Sequence, residues 1–439
     1  MVLLGGGLSG VATAHALAEA GWTDITIVER APTLGGLAGS FERDGHFYPL
    51  GYHHILERDR TLLFMLDRIG ALRSVHWRRI RMFFRLRDGR LYDLGRPGDF
   101  LAFPMSLSDK LRFVRLMLRA FSKSDWSDWL DKDAATLLDA WAGPGVREAL
   151  FEPLTRLKFE LPCSEVSGAW LGARLHFREG SSPLGYIPHA NWTKVLCDGV
   201  TRLVTEQGVR VRLRESVARL RVSGGRIVAA ELESGESLSA ELFVSSVPTE
   251  VFLKLVPGDE TPHLADIHYT ALLSVVCATR ARVAPDFYWM NLASLDRTAC
   301  GLFLLSSLNP TIGGPGEACV NFVTHLQGRD RALFAKSDQE LLDAYLEDFR
   351  AIFGFELQPF WTHIARVPMY SPVFGRGYRN PPLRSSSWSN LYFTGNYRTF
   401  PSVASTGTAM RSGLETADAM LRDNGSRSDL LLRADRFRR

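Results

Sequence analysis

Residues 2–18 read Val2-Leu3-Leu4-Gly5-Gly6-Gly7-Leu8-Ser9-Gly10-Val11-Ala12-Thr13-Ala14-His15-Ala16-Leu17-Ala18. A short apolar run, a cluster of glycines and an Ala-rich stretch spell strand, tight turn and helix in that order. Gly5, Gly7 and Gly10 fit G-x-G-x-x-G. In that pattern the first glycine permits the turn, the second lets backbone approach a pyrophosphate, and the third lets helix and strand pack closely. The phosphates would sit on the helix start at Leu8 and Ser9, among N–H groups that no helical carbonyl can satisfy. Gly21 is placed to stop the helix, and Asp24-Ile25-Thr26-Ile27-Val28 alternates into a second strand that ends on Glu29. An acid about 20 residues past the last motif glycine is positioned to accept ribose hydroxyls and to disfavour a 2′-phosphate. Glu29 alone would pass for a surface strand end; strand, turn, helix and acid together specify a dinucleotide.

The rest of the composition is compatible with that reading. Of 439 residues, 46% are hydrophobic and 23% charged, which excludes disorder and fibrous architectures. At roughly 100–200 residues per domain the length calls for two or three domains or one elaborate assembly. No run approaches about 18 uninterrupted apolar residues, so a membrane span is not expected. Lys plus Arg is 52 against Asp plus Glu 48, a net charge of +4 that gives no indication of a nucleic-acid partner. Cys163, Cys197, Cys277, Cys300 and Cys319 are scattered and free of CxxC, which fits a reducing cytoplasm. The chain opens directly on the glycine motif, without the cationic start and apolar run of a secretory signal.

Two further stretches carry a resemblance. Glu29 is followed by Arg30-Ala31-Pro32-Thr33-Leu34-Gly35-Gly36-Leu37-Ala38, and near the other end stand Asn390-Leu391-Tyr392-Phe393-Thr394-Gly395-Asn396 and Ser405-Thr406-Gly407-Thr408-Ala409 running into a helix. Here the sequence resembles the flavin amine oxidase superfamily, which includes protoporphyrinogen oxidases, phytoene-type desaturases and UDP-galactopyranose mutase. The resemblance implies FAD as cofactor, with Gly35 and Gly36 forming a second turn around it and Leu37 standing where many members have Arg. It implies that Gly395 and Asn396 meet the ribityl and pyrophosphate, and that the helix at Gly407, Thr408 and Ala409 aims its start at the flavin. It further implies Val217 backbone against the adenine, and Gly51 and Tyr52 near the isoalloxazine. No cysteine follows Cys319, so the FAD is expected to be non-covalent.

The segments Phe47–Asp59, Glu152–Phe159, Glu165–Arg174 and Leu184–Pro188 are similar to bacterial protoporphyrinogen-oxidase-like proteins. At Pro188-His189-Ala190-Asn191, where many relatives carry a glycine pair, the chain departs from them. The implied architecture is α/β: a glutathione-reductase-like, Rossmann-type FAD-binding domain with an inserted α+β substrate domain. The expected boundaries are 1–70, 205–265 and 385–425 for the FAD domain, 71–204 and 266–384 for the substrate domain, and a loose tail at 426–439. Short alternating runs at 210–213, 217–222, 226–232 and 242–247 read as strands rejoining the nucleotide-binding sheet.

The flavin would carry the difficult chemistry, leaving the protein few catalytic duties. His53 and His54 follow Gly51-Tyr52 and are candidates for a proton shuttle, the alternative being a backbone-bonding histidine. Lys158, flanked by Leu157 and Phe159, is a candidate near the flavin or for an acidic substrate, or else a snorkelling surface lysine. Trp170, Arg174 and His176 are candidate substrate contacts, with Arg174 and His176 sharing one face of a strand by period-two spacing, and a salt bridge as the plain alternative. Arg73–Arg87 alternates basic and apolar residues like a half-exposed strand with a cationic face. Leu107–Phe121 reads as a basic amphipathic helix, suited either to a bilayer interface or to core packing. No metal site and no Gly-x-Ser-x-Gly nucleophile is present in the pattern.

These features point to an FAD-dependent oxidase or desaturase. It would remove hydride from a C–H or C–N bond of a hydrophobic, natural-product-like molecule and pass electrons to molecular oxygen or another acceptor. Localisation would be cytoplasmic, with contact at the inner face of a membrane as an option. The alternatives are a mutase-like isomerase using reduced FAD on a nucleotide-sugar or polysaccharide precursor, and a flavin-holding scaffold without turnover.

Overall fold

A computed structural model describes residues 1–177, 183–256, 258–293, 297–327 and 331–438. The opening motif forms as its residues dictate: strand β1 (Val2–Leu4), helix α1 (Leu8–Glu19) and strand β2 (Thr26–Glu29) follow in order. Gly21 takes a positive φ of 89° just past the end of α1, a conformation glycine reaches without steric cost. β1 and β2 lie in a five-stranded, fully parallel sheet whose order is Arg210–Leu213, β2, β1, Phe243–Ser245 and Leu391–Phe393.

Both faces of this sheet are covered, which explains why its inner strand β1 and the Phe243–Ser245 and Leu391–Phe393 strands are buried throughout. Leu3, Ile27, Val244 and Tyr392 point to the side packed by α1, the Trp192–Glu206 helix and the Thr406–Asp423 helix, called here the closing helix. Val2, Leu4, Val28, Phe243, Leu391 and Phe393 point the other way. They meet Leu220, Ile227, Ala230 and Leu232 of a separate antiparallel sheet built from Val217–Ser223, Arg226–Leu232 and Ser237–Ser239. The expectation that all these runs rejoin the nucleotide-binding sheet is therefore corrected. The first and last do; the hairpin between them forms a covering layer, because its two-sided alternation suits a sheet with one buried face.

A second sheet has seven strands in the order Trp361–Pro372, Tyr269–Thr279, Ala318–Leu326, Gly301–Leu304, Trp289–Leu292, Met82–Arg85 and Leu91–Tyr92. Leu273, Val275 and Cys277 pack beneath Leu341, Tyr345 and Phe349 of the Asp338–Phe353 helix. Their neighbours Leu272, Val276 and Ala278 face Tyr48, Tyr288, Trp289 and Phe303. Helix α2 (Arg60–Arg68) packs against the closing helix. Helices α3 (Pro97–Ala102) and α4 (Leu107–Ser122) join the Ala134–Trp141, Glu152–Phe159 and Gly168–Phe177 helices around a core that includes Trp126, Phe151 and Trp170.

Three local expectations are corrected. Arg174 and His176 lie on the Gly168–Phe177 helix, so two residues of separation turns them away from each other. Gly172 lets that helix press on Trp126, whose Cε3 would stand 2.1 Å from an added Cβ, and this tertiary contact outweighs the strand-like spacing. The Arg73–Arg87 run breaks into His76–Arg78 and Met82–Arg85, which belong to different sheets. The end of the chain is docked: Leu430 and Ala434 of the Leu430–Arg436 helix are buried, and Asp435 binds Arg411 at 2.8 Å.

Candidate cofactor and substrate site

The site begins at the carboxyl end of β1, where the order of strands reverses and α/β sheets bind ligands. Gly5 has φ 92° and Gly10 has no room for a side chain, since a Cβ there would lie 2.6 Å from the Gly5 carbonyl oxygen. In front of Gly7, by contrast, an added Cβ would meet nothing within 4 Å. The second glycine turn stacks on the first: Gly35 N–H donates to the Gly6 carbonyl at 2.8 Å, and Gly7 and Gly35 form an isolated parallel bridge.

α1 begins without a side-chain cap and without an acid in its first turn, although Leu8, Ser9 and Gly10 are buried. Other helices of the chain do receive caps: Asp59 for α2, Ser106 for α4, Asn191, Ser337 and Ser405 elsewhere. A buried helix start left open over a glycine turn with free space before it fits a diphosphate. Glu29 ends β2 as expected, and its carboxylate accepts from the Gly6 N–H at 2.7 Å and the Ala31 N–H at 2.8 Å. Those bonds fix its oxygens beside the turn and leave lone pairs for ribose hydroxyls. Arg214 N–H and Glu215 N–H bond the Ala31 and Glu29 carbonyls at 3.1 and 3.0 Å, which brings the start of the Val217 strand to the same end of the site. Arg30 points to solvent.

The carboxy-terminal motif converges on this turn. Thr13 Oγ1 donates to the Gly413 carbonyl across 400 residues of sequence, and a Cβ on Gly413 would fall 2.2 Å from the Ser9 carbonyl oxygen. Gly395 N–H donates to Ser412 Oγ at 3.3 Å, and Asn396 Nδ2 donates to the Tyr370 carbonyl at 3.2 Å, tying the parallel sheet to the seven-stranded one. The closing helix is capped from within by Ser405 and Thr408. Asp59 adds an acceptor for the Gly407 N–H, with Ser405 Oγ at 3.4 Å and the Leu62 N–H at 3.2 Å on the same carboxyl. Burial pushes the Asp59 carboxyl up to about 6. Asp59 was not singled out by motif; the Asp-x-x-Leu start of an amphipathic helix was its only sequence signal.

Between the two sheets lies an aromatic wall. Tyr52 stacks on Phe303 at 4.3 Å, and His54 stacks on Trp289 at 5.5 Å and meets Tyr288 edge-on. His53 sits against the Leu37 carbonyl at 2.9 Å, so it braces the second glycine turn, and burial holds its imidazole below the ordinary range. Tyr52 Oη lies 2.9 Å from Nε2 of His325, and Tyr370 adjoins both rings.

Burial, reinforced by the positive fields of Lys158 and Arg174, keeps His325 neutral well below its usual value. Lys158 and Arg174 therefore approach His325 from two helices. Trp170 is buried against Phe159 at 4.8 Å and carries the Arg174 guanidinium over its ring at 5.7 Å. His176 Nδ1 lies 3.0 Å from the Ala120 carbonyl. His325, on an interior strand of the seven-stranded sheet, and Tyr370, on its edge strand, carry no motif that would mark them in the sequence.

Among the described residues no group of His, Cys, Asp and Glu is arranged to hold a metal, and no helix is long and apolar enough to cross a membrane.

Comparison with known proteins agrees with this fold. The family model of flavin containing amine oxidoreductase matches residues 8–421. The 15-cis-phytoene desaturase of Solanum lycopersicum is 22% identical over 482 residues, covering 96% of this chain and 78% of that protein. Among solved structures, the putative protoporphyrinogen oxidase of Exiguobacterium sp. 255-15 superposes with a TM-score of 0.77 at 17% identity, covering 95% of this chain and 98% of that one. Reduced UDP-galactopyranose mutase superposes with a TM-score of 0.75 at 14% identity, covering 99% and 98%. At such identities the superpositions speak for the fold.

Proposed function

The chain belongs to the flavin containing amine oxidoreductase family, and from that premise we propose that it removes hydride from a C–H or C–N bond of a hydrophobic small molecule, using non-covalent FAD. The single observation that carries this reading is the buried, uncapped start of α1 with open space in front of Gly7, beside Glu29 and the second glycine turn. Gly5, Gly7, Leu8, Ser9 and Gly10 would receive the diphosphate. Glu29 would take the adenosine ribose, and Gly35 to Ala38 with Gly395, Asn396 and Gly407 to Ala409 would hold the remainder. We read residues 1–70, 205–265 and 385–425 as the FAD unit and 71–204 with 266–384 as the substrate unit.

When bound, FAD supplies the hydride acceptor. The chain's own residues do the rest. The rings of Tyr52, His54, Trp289 and Phe303 give an apolar substrate a wall that excludes water. His53 holds the second glycine turn in place through the Leu37 carbonyl. Neutral His325 orients the Tyr52 hydroxyl, while Lys158 and Arg174 supply positive charge at the same end of the pocket. His54, set in the aromatic wall, would accept or return a proton at its imidazole. Electrons leave to molecular oxygen or another acceptor, and peripheral contact with a membrane belongs to the same reading.

The experiment is direct: purified protein should be yellow, release FAD on denaturation and bleach when a substrate is added without oxygen. A protein that takes up no flavin from excess FAD would sink the proposal. Turnover that demands prior flavin reduction and consumes no oxidant would favour the mutase-like reading instead.

A further inference from the structure

α4 presents apolar residues on two opposite faces. Leu116 and Ala120 are fully buried against the helical core. Leu107, Leu111, Val114 and Leu118 are 69, 65, 45 and 65% exposed. Their spacing of four, three and four residues aligns them along one outward stripe. Leu101 of α3, 63% exposed, extends the patch, and Lys110 Nζ bonds the Leu101 carbonyl at 2.6 Å to hold the two helices together. Only Val222, Phe360 and Leu432 are comparably exposed large apolar residues elsewhere among the described residues, each in a different region, so the apolar surface is concentrated here.

The stripe is flanked by Lys110 on one side and Arg115 on the other, the single acid of the helix, Asp109, lies on the opposite face, and Lys123 just past the helix pairs with Asp128 at 3.0 Å. Arg112 turns to Asp109 at 3.4 Å and Arg119 lies over Trp141. Arg115 is exposed beside Leu111 and Leu118 and has no ion pair among the described residues. The α3–α4 connection, at Phe103 and Pro104, also walls a cavity of about 480 Å³ in which Leu86 and Pro153 alternate with the charged Arg87, Asp88, Glu148, Glu152 and Arg156.

We propose that α3 and α4 form a membrane-docking face, lying in the interface of an anionic bilayer with Leu101, Leu107, Leu111, Val114 and Leu118 inserted and the flanking cations on the headgroups. Aliphatic side chains projecting into solvent beside lysine and arginine match acyl chains beneath anionic headgroups. A second copy of the chain matches less well, because two such faces would bring rows of like charge together. This surface lies on a different part of the molecule from the flavin turn, and the docking test is read without regard to flavin content.

The test is co-flotation of the full chain with vesicles of phosphatidylcholine alone and of phosphatidylcholine with about 30 mol% phosphatidylglycerol. The protein should float with the anionic vesicles, and Leu111→Glu with Leu118→Glu should weaken binding at least about tenfold. Arg115→Glu should weaken it less and reduce its salt dependence, while Val222→Glu, exposed elsewhere, should leave it unchanged. Because the altered side chains face solvent, unfolding midpoints should match the wild type. Failure of the wild type to float, equal flotation of the double variant, or a dimer in gel filtration that the double variant splits would each overturn the proposal.

Discussion

Asp59 is 4% exposed, yet its carboxyl serves two helix starts at once, accepting from the Leu62 N–H of α2 and the Gly407 N–H of the closing helix. Both dipoles favour the charged form, and burial still prevails, lifting the group from 3.8 to about 6. A folded carboxyl with a raised pKa binds its proton more tightly than the unfolded chain does, so stability declines as pH rises through the interval between those values. A lift of that size corresponds to roughly 3 kcal/mol lost between about pH 4 and pH 6, and the loss is complete above it. Asp59→Asn keeps a capping oxygen and removes the titration. Denaturant unfolding from pH 4 to pH 7 should therefore show the wild type losing ground to this variant as pH rises; parallel curves would refute the account. Gly407 belongs to the same arrangement, since a Cβ there would fall 1.7 Å from Asp59 Oδ1.

At the scale of elements, the decisive contact is α1 against the closing helix. Gly413 lies in mid-helix, where alanine is ordinarily about 1 kcal/mol more favourable. Here the added methyl would strike the Ser9 carbonyl at 2.2 Å and Ala12 Cβ at 2.9 Å, both on a helix buried on every side. Gly413→Ala should reverse the helix preference and cost about 1–3 kcal/mol. Urea unfolding would show the midpoint falling at an unchanged slope. The same scale explains what could be read in advance. The strand, glycine turn, helix and acid of the first forty residues were legible because each is set by local stereochemistry. The closing motif was legible because glycines mark close backbone approach. The Gly168–Phe177 helix was misread because Gly172 seats it on Trp126, a contact no window of neighbouring residues contains. His325 was missed because a buried strand offers no local sign of which alternate residue faces the site, and Tyr370 because its half-exposed edge strand meets the site only through tertiary packing. α4 was read as amphipathic, but with leucines on both sides periodicity could not say which face lies inward.

For the whole molecule, the three glycine-bearing segments that converge on one turn come from residues 5–10, 35–38 and 395–413, and their meeting places distant parts of the chain in contact. A ligand held by all three stabilises the folded state by an amount set by its concentration relative to Kd. The gain is roughly 2.7 kcal/mol at one hundred times Kd and about 1.4 kcal/mol for each further tenfold. Without it, the open N–H groups at the start of α1 have no side-chain cap among the described residues, so this is where the flavin-free protein should open most readily. The Asp338–Phe353 helix stands apart, with its own side-chain cap and with Leu341, Tyr345 and Phe349 fully buried on the far face of the seven-stranded sheet. Hydrogen exchange followed by mass spectrometry on flavin-free and FAD-loaded protein should therefore show added protection concentrated in residues 2–19, 34–53 and 394–413. The 338–353 helix should change little under conditions where exchange is local. The unfolding midpoint should rise with the logarithm of FAD concentration. Protection spread evenly over both sheets, or none at the start of α1, would mean that the glycine turns are not where the cofactor is gripped.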